Sequence, residues 1–214
     1  MRQIKNIILR ANAIPVYGFL SVINAQHPQG ETPQRGKILD CGAGGSVPPL
    51  ALFHQHGFEA WGIDTSDEQL DKAKQFCEQQ GIALHLRTGD MRRIPFEGET
   101  FHYVYEHYSM CHLSKQDTAL TVNEMYRVLK PQGFCFLGVI SADSRPKSRL
   151  GQEREPGEYW GEEGGEPTLH SVFSDDEADK LVSAWEIVSK EKQIKYLANA
   201  FQYAHLYYIL RKAG

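Results

Sequence analysis

Between Lys37 and Ile140 the chain alternates short apolar runs with longer segments of helical period, and that alternation admits few folds. A strand that leaves a sheet through a helix returns parallel to its start, so the pattern predicts an α/β, doubly wound, mostly parallel sheet. "KILD" (37–40) reads as the first strand. The helix "PLALFHQH" follows, opened by Pro48 and Pro49, where missing N–H groups cost little, and closed at Gly57. "EAWGID" (59–64) is the second strand, after which Ser66 and Gln69 have capping-box spacing at the start of a helix that Gly81 stops. "ALHLRTGD" (83–90) and "FHYVYEHY" (101–108) give strands three and four. Ser114 and Asp117 resemble a capping pair opening a helix ended by Pro131 and Gly133, and "FCFLGVI" (134–140) is the fifth strand.

Residues 141–172 are rich in Gly, Pro and Glu, which predicts a long irregular loop of functional or mobile character rather than a linker. Ser174 and Glu177 take the box positions of a further helix. "WEIVSKEKQI" and "FQYAHLYYIL" then predict a closing pair of strands, the second nearly continuous in apolar residues as a buried strand is. Ahead of all this, Ile4, Ile7, Ile8 and Ala11 stand at helical spacing before the aromatic "VYGFL". Residues 1–36 therefore read as an N-terminal helical extension or lid, and 37–214 as the main domain.

The 214 residues suffice for one core, and a formal charge of −4 gives no basic footprint for a polyanion, so nucleic acid is not an expected partner. Cys41, Cys77, Cys111 and Cys135 form no C-x-x-C pair and no zinc spacing, which predicts reduced thiols in a cytoplasmic protein. Arg10, Asn12 and Pro15 interrupt the N-terminal apolar run, so no signal sequence is expected, and no segment approaches membrane-spanning length.

The glycine turn "DCGAGGS" follows the first strand, at the carboxyl edge where open α/β sheets bind ligands. A dinucleotide fingerprint aligned on Gly42 and Gly44 needs glycine at 47, where the chain has Val47, and Asp40 would add an anion beside a pyrophosphate. A phosphate loop fails as well, because no Lys-Ser or Lys-Thr follows the glycines. A cationic ligand reverses the argument. S-adenosylmethionine carries an ammonium and a sulfonium that favour a nearby carboxylate, and its own carboxylate suits backbone N–H groups that glycines leave accessible. Asp64, ending the second strand, suits ribose hydroxyls. Asp90 at the next strand end suits an adenine amino group, with Met91 packing on the ring.

"ILDCGAGGS", "WGIDTSDEQL", "LRTGDMRRIPFEGETFHYV" and "EMYRVLKPQGF" resemble, in order and spacing, the successive motifs of class I S-adenosylmethionine-dependent methyltransferases over about residues 37–140. The resemblance implies a Rossmann-like fold with a seven-stranded sheet whose last strand is antiparallel, and a small-molecule acceptor. It implies that Asp40, Gly42 and Gly44 hold the methionine portion, Asp64 the ribose, and Asp90 with Met91 the adenine. Cys41, Ser46, Thr65 and Gln69 complete the expected cofactor-binding set. Ser46 stands where a third glycine is common, His102 where the family has an aspartate, and Gln132 in place of a glycine after the helix.

Methyl transfer from a sulfonium is a direct displacement that requires no metal; aligning nucleophile, carbon and sulfur can account for ~7–11 kcal/mol in favourable cases. For a hydroxyl or ammonium acceptor a base helps, and "YEHYSMCHL" offers His107 and His112 as catalytic candidates beside Glu106 and Tyr108. A metal held by His107, Cys111 and His112 would lack a fourth ligand and a recognisable spacing, and His54 and His56 diverge on their helix, so no metal is expected. Tyr159, Trp160 and His170 lie among glutamates, where aromatic faces holding a cation and a solvated acidic loop explain the same letters. A chain that kept the nucleoside pocket but lost transfer, acting as sensor or assembly partner, is the alternative function class.

Overall fold

A computed structural model of the chain describes residues 14–26, 35–196 and 201–214. Strands β1 (Lys37–Cys41), β2 (Glu59–Asp64), β3 (His85–Thr88), β4 (Phe101–Tyr105) and β5 (Leu129–Ser141) form a parallel sheet in the order β3-β2-β1-β4-β5. On the far side of β5 lies β10 (Gln202–Arg211), antiparallel to it, and β9 (Glu186–Tyr196) pairs antiparallel with β10. These seven strands are the expected sheet, with its last strand antiparallel.

The crossover helices are α2 (Leu50–Gln55), α3 (Asp67–Gln80) and α4 (Lys115–Val128), with α5 (Asp175–Leu181) leading into β9. Ser66 Oγ accepts from the Gln69 amide, Ser114 Oγ from the Asp117 amide, and Ser174 with Glu177 completes a reciprocal capping box. The strand β4 stops at Tyr105 instead of running to 108. Glu106 turns back, and its Oε1 accepts the amides of Ser109 and Met110 at 2.7 and 3.0 Å, which curls the chain into the 3-10 turn Met110–His112.

The stretch 141–172 corrects the expectation of an irregular loop. It folds into β6 (Gln152–Glu155), β7 (Glu158–Glu163) and β8 (Glu166–Phe173), an antiparallel meander. The tip between Glu163 and Glu166 is Gly164-Gly165 with φ of 63° and 91°, the two positive values that a tight hairpin matching the strand twist requires. Apolar alternation is weak here because β6 is exposed throughout and β7 buries only Tyr159. The meander joins the main sheet where Val172 and Phe173 pair with Ile140 and Ser141 at the end of β5. It is tied to the loop after β4, since Ser171 Oγ donates to the Leu113 carbonyl and Glu158 accepts the Lys115 amide.

One face of the sheet buries Tyr105 and Phe136 beneath α1 (Ile14–Asn24) and Phe53 of α2; the other buries Leu206 and Tyr208 beneath α4 and α5. Helix α1 contributes Val16, Phe19, Leu20 and Ile23, at i, i+3, i+4 and i+7 along one helical stripe and all buried, so this part of the N-terminal extension is docked on the core. Ile4, Ile7, Ile8 and Ala11 lie outside the described residues. Gly36 and the Lys37 amide rest against the His102 ring, the amide donating to Nδ1 at 3.1 Å, so His102 holds the entry to β1. Gln132, at φ 64°, sits in the bulge that brings β5 back into register with β4. The four cysteines are free and buried. Among the described residues no helix is long and apolar enough to cross a membrane.

Candidate functional site

The turn after β1 is closed by its own chain. The amides of Gly42 and Ala43 both donate to the Ile63 carbonyl, Gly44 donates to Asp64 Oδ2 at 3.0 Å, and Gly45 to the Gln69 carbonyl. Backbone donors from 42 to 45 are therefore used within the protein, contrary to the expectation that they stay accessible to a ligand carboxylate. The glycines serve close approach instead. A Cβ on Gly42, whose φ is 125°, would lie 2.1 Å from Ser109 Oγ, and one on Gly44 would lie 2.6 Å from Asp64 Oδ2.

Two adjoining pockets open along this turn and share Gly42, Asp64 and Ser109 as their seam. The first runs past the ends of β2 and β3 and is lined by Thr65, Asp90, Met91, Arg92, His112 and Leu113. The second runs along the glycines and is lined by Gly44, Gly45, Val47, Gln69, His107 and Tyr108. The structure thus brings Gly42, Gly44, Asp64, Thr65, Gln69, Asp90, Met91, His107 and His112 to one continuous cleft. Asp40 and Cys41 lie buried behind the turn, and Ser46 is exposed; these three line neither pocket.

Asp40 is only 2% exposed, and its Oδ2 accepts the Tyr105 hydroxyl at 2.6 Å. Burial pushes its carboxyl up to about 8, against the Tyr105 hydrogen bond that favours the charged form, while the neighbouring Glu106 and Asp64 push it further upward. Burial likewise raises Glu106 to about 7, although three backbone hydrogen bonds favour its anion. Asp64 accepts from the Ser66 amide through Oδ1 as well as from Gly44 through Oδ2, which fixes the carboxylate at the seam and leaves each oxygen a further lone pair.

Asp90 forms an Asx turn with the Arg92 amide and is clasped by the Arg92 guanidinium through Nε and Nη2; Arg92 Nη1 reaches Asp117. The clasp holds the Asp90 carboxyl below the usual carboxylate range. Arg92, Ser109 and Leu113 are cleft residues that sequence reasoning missed. Arg92 had a signal in its place two residues after Asp90, the reach of an Asx turn, whereas nothing local marks Ser109, whose role comes from contact with Gly42. His107 sits edge-on against the Tyr108 ring, and His112 Nδ1 lies 3.2 Å from the Leu169 carbonyl on β8.

Residues 38–133 match the family model of a methyltransferase domain. Over that segment, just under half of its length, the chain is similar to methyltransferase domains. It is 34% identical over 105 residues to the sterol 24-C-methyltransferase of Saccharomyces cerevisiae, an alignment covering 47% of this chain and 26% of the yeast protein. Over 107 residues it is 30% identical to the ubiquinone biosynthesis O-methyltransferase of Bartonella tribocorum, covering 49% of this chain and 41% of that one. The chain thus spans less than half the length of these two relatives. A solved S-adenosylmethionine-dependent methyltransferase of Methanosarcina mazei superposes with a TM-score of 0.73 at 17% identity, over 89% of this chain and 97% of its own, and so shares the fold.

The cleft fits S-adenosylmethionine on its own terms. Two glycines keep side chains out of the seam, and two carboxylates end successive strands on one side of it. A dinucleotide's pyrophosphate would meet those same acids.

Proposed function

We propose that this chain transfers the methyl group of S-adenosylmethionine to a small organic acceptor by direct displacement. The observation that carries the reading is the juxtaposition of the Gly42–Gly45 turn with Asp64 and Asp90 in one cleft. In this reading Asp64 accepts the ribose hydroxyls, Asp90 accepts the adenine amino group, Met91 packs against the base, and the glycine turn with Gln69 borders the methionine portion. The cofactor supplies a methyl group made electrophilic by a cationic sulfur. The protein's contribution is to align the acceptor and keep water out, the orientation effect that can account for ~7–11 kcal/mol of a barrier.

Of the two histidines, His107 lines the glycine side of the seam and is the better placed to take an acceptor proton, since His112 borders the adenosine side with its Nδ1 held by Leu169. The acidic balance of the chain and the pair of acids at the cleft support a small acceptor over a nucleic acid. The test is calorimetric titration of S-adenosylhomocysteine, together with chromatographic detection of that product when the protein is given S-adenosylmethionine and an acceptor panel. Asp64→Ala is expected to weaken cofactor binding at least tenfold. Equal affinity in the variant and the parent refutes the ribose assignment, and binding without turnover across the panel moves the chain to the sensor class.

A further inference from the structure

His112 comes from the 3-10 turn after β4, while Glu163 and His170 come from the hairpin strands β7 and β8 much later in the sequence. A ring nitrogen of each histidine and a carboxylate oxygen of Glu163 all lie within 4.8 Å of one another. His170 Nε2 is 2.9 Å from Glu163 Oε1. The two rings share a second feature. His170 Nδ1 lies 3.1 Å from the Leu150 carbonyl and His112 Nδ1 lies 3.2 Å from the Leu169 carbonyl. A carbonyl only accepts, so each ring carries its proton on Nδ1 and keeps an Nε2 lone pair, the tautomer and outer contact that metal-binding histidines have. At His170 the arrangement leaves an acceptor at both ring nitrogens, which the neutral imidazole cannot satisfy and a cation between ring and carboxylate can.

From this we infer that His112, Glu163 and His170 form a binding site for a divalent cation of the zinc class, with two imidazoles and one carboxylate as ligands and a fourth position open. Ligands about 2.0–2.2 Å from zinc stand roughly 3.4 Å apart, so the exposed side chains of His112 and Glu163 close inward on the buried His170 by a rotamer-scale movement. Glu163 and His170 also line a cleft with Arg149 and Tyr203, which gives the open position a path to solvent. His112 borders the cofactor cleft. A bound ion therefore pins the β7–β8 hairpin to the loop that carries Ser109 and His112, and the meander becomes a wall of the cleft held by metal. The inference is independent of the methyl-transfer reading, because it rests on three side chains that the reading does not use for cofactor binding.

The test is titration of the purified, chelator-treated full chain with Zn²⁺ by calorimetry, with a parallel thermal melt. One equivalent is expected to bind, and at a hundredfold excess over Kd the midpoint is expected to rise by about 5–10 °C. H112A, E163Q and H170A are each expected to weaken binding at least tenfold, whereas H56A, which removes an exposed histidine elsewhere, leaves it unchanged. His112 and Glu163 are exposed, so their variants decide the matter even where the buried His170 variant fails to fold. Absence of saturable binding, or H112A and E163Q binding Zn²⁺ as tightly as the parent, overturns the inference and leaves an imidazolium–carboxylate pair at His170.

Discussion

The Tyr105 hydroxyl donates to Asp40 Oδ2 over 2.6 Å, in a place neither solvent nor the cleft reaches. That contact sets the first prediction. The Asp40 carboxyl is held at about 8 in the folded protein against 3.8 in the unfolded chain, so between about pH 4 and pH 8 the folded state keeps a proton that the unfolded state has released. Stability contributed by this group falls as pH rises through that window, by at most about 1.4 kcal/mol per pH unit. His205, lowered to about 3 by burial, acts in the opposite sense below its unfolded value of 6.5, and Glu106, raised to about 7, acts in the same sense as Asp40, so the parent's own curve mixes the three. The difference between Asp40→Asn and the parent isolates the acid. It is expected to shift steadily in the variant's favour from pH 5 to pH 8 in urea titrations, since the amide oxygen still accepts from Tyr105. A difference independent of pH defeats the burial argument.

Gly44→Ala supplies the second prediction. Its Cβ would stand 2.5 Å from Gln69 Cβ and 2.6 Å from Asp64 Oδ2, and both neighbours are anchored, Asp64 by the Ser66 amide and Gln69 by its place in the first turn of α3. Relief requires shifting the carboxylate at the seam. Overpacking of this kind typically costs ~1–3 kcal/mol. The variant is expected to lose that much stability and, in addition, to bind S-adenosylhomocysteine at least tenfold more weakly. Gly45→Ala is the comparison, because a Cβ there meets nothing within 4 Å and only its φ of 101° is strained. Equal affinity loss in both variants, read by calorimetry, would show that turn strain rather than the Asp64 contact governs the site.

Strand ends and helix starts were legible because their signals are local. Ser66, Ser114 and Ser174 each precede a helix whose third residue they bind through the side chain, and Asp64 and Asp90 each stand at or just past the end of a strand. What escaped depends on contacts across the chain. Glu106 ends β4 early by folding back on Ser109 and Met110, a choice made by a carboxylate's backbone bonds and not by propensity. The meander β6–β8 lacked alternation, since its outer residues are solvated glutamates; its one strong local mark was the Gly164-Gly165 pair. Asp40 sits in the expected motif, yet the side chain's direction was not readable, because it is set by Tyr105 on the neighbouring strand, paired in register with Asp40.

Phe19 gives the last prediction and decides what α1 is for. Its ring lies 5.8 Å from Phe136 in a stacked arrangement, 6.1 Å from Phe53 and 6.4 Å from Tyr105, so it packs on the central strands from above. It is fully buried, so its removal leaves a cavity. Phe→Ala at such sites costs ~3–5 kcal/mol, the transfer term adding to the cavity term. Phe19→Ala is expected to fall in that range in urea denaturation. It is also expected to loosen Tyr105, and through it Asp40, so that the parent's pH dependence between pH 6.5 and pH 8 flattens as water reaches the carboxyl. A helix that merely covered the cleft would lose less than ~1 kcal/mol on this truncation and leave the pH dependence intact, the behaviour of a surface position. The two readouts together separate a docked core helix from a lid.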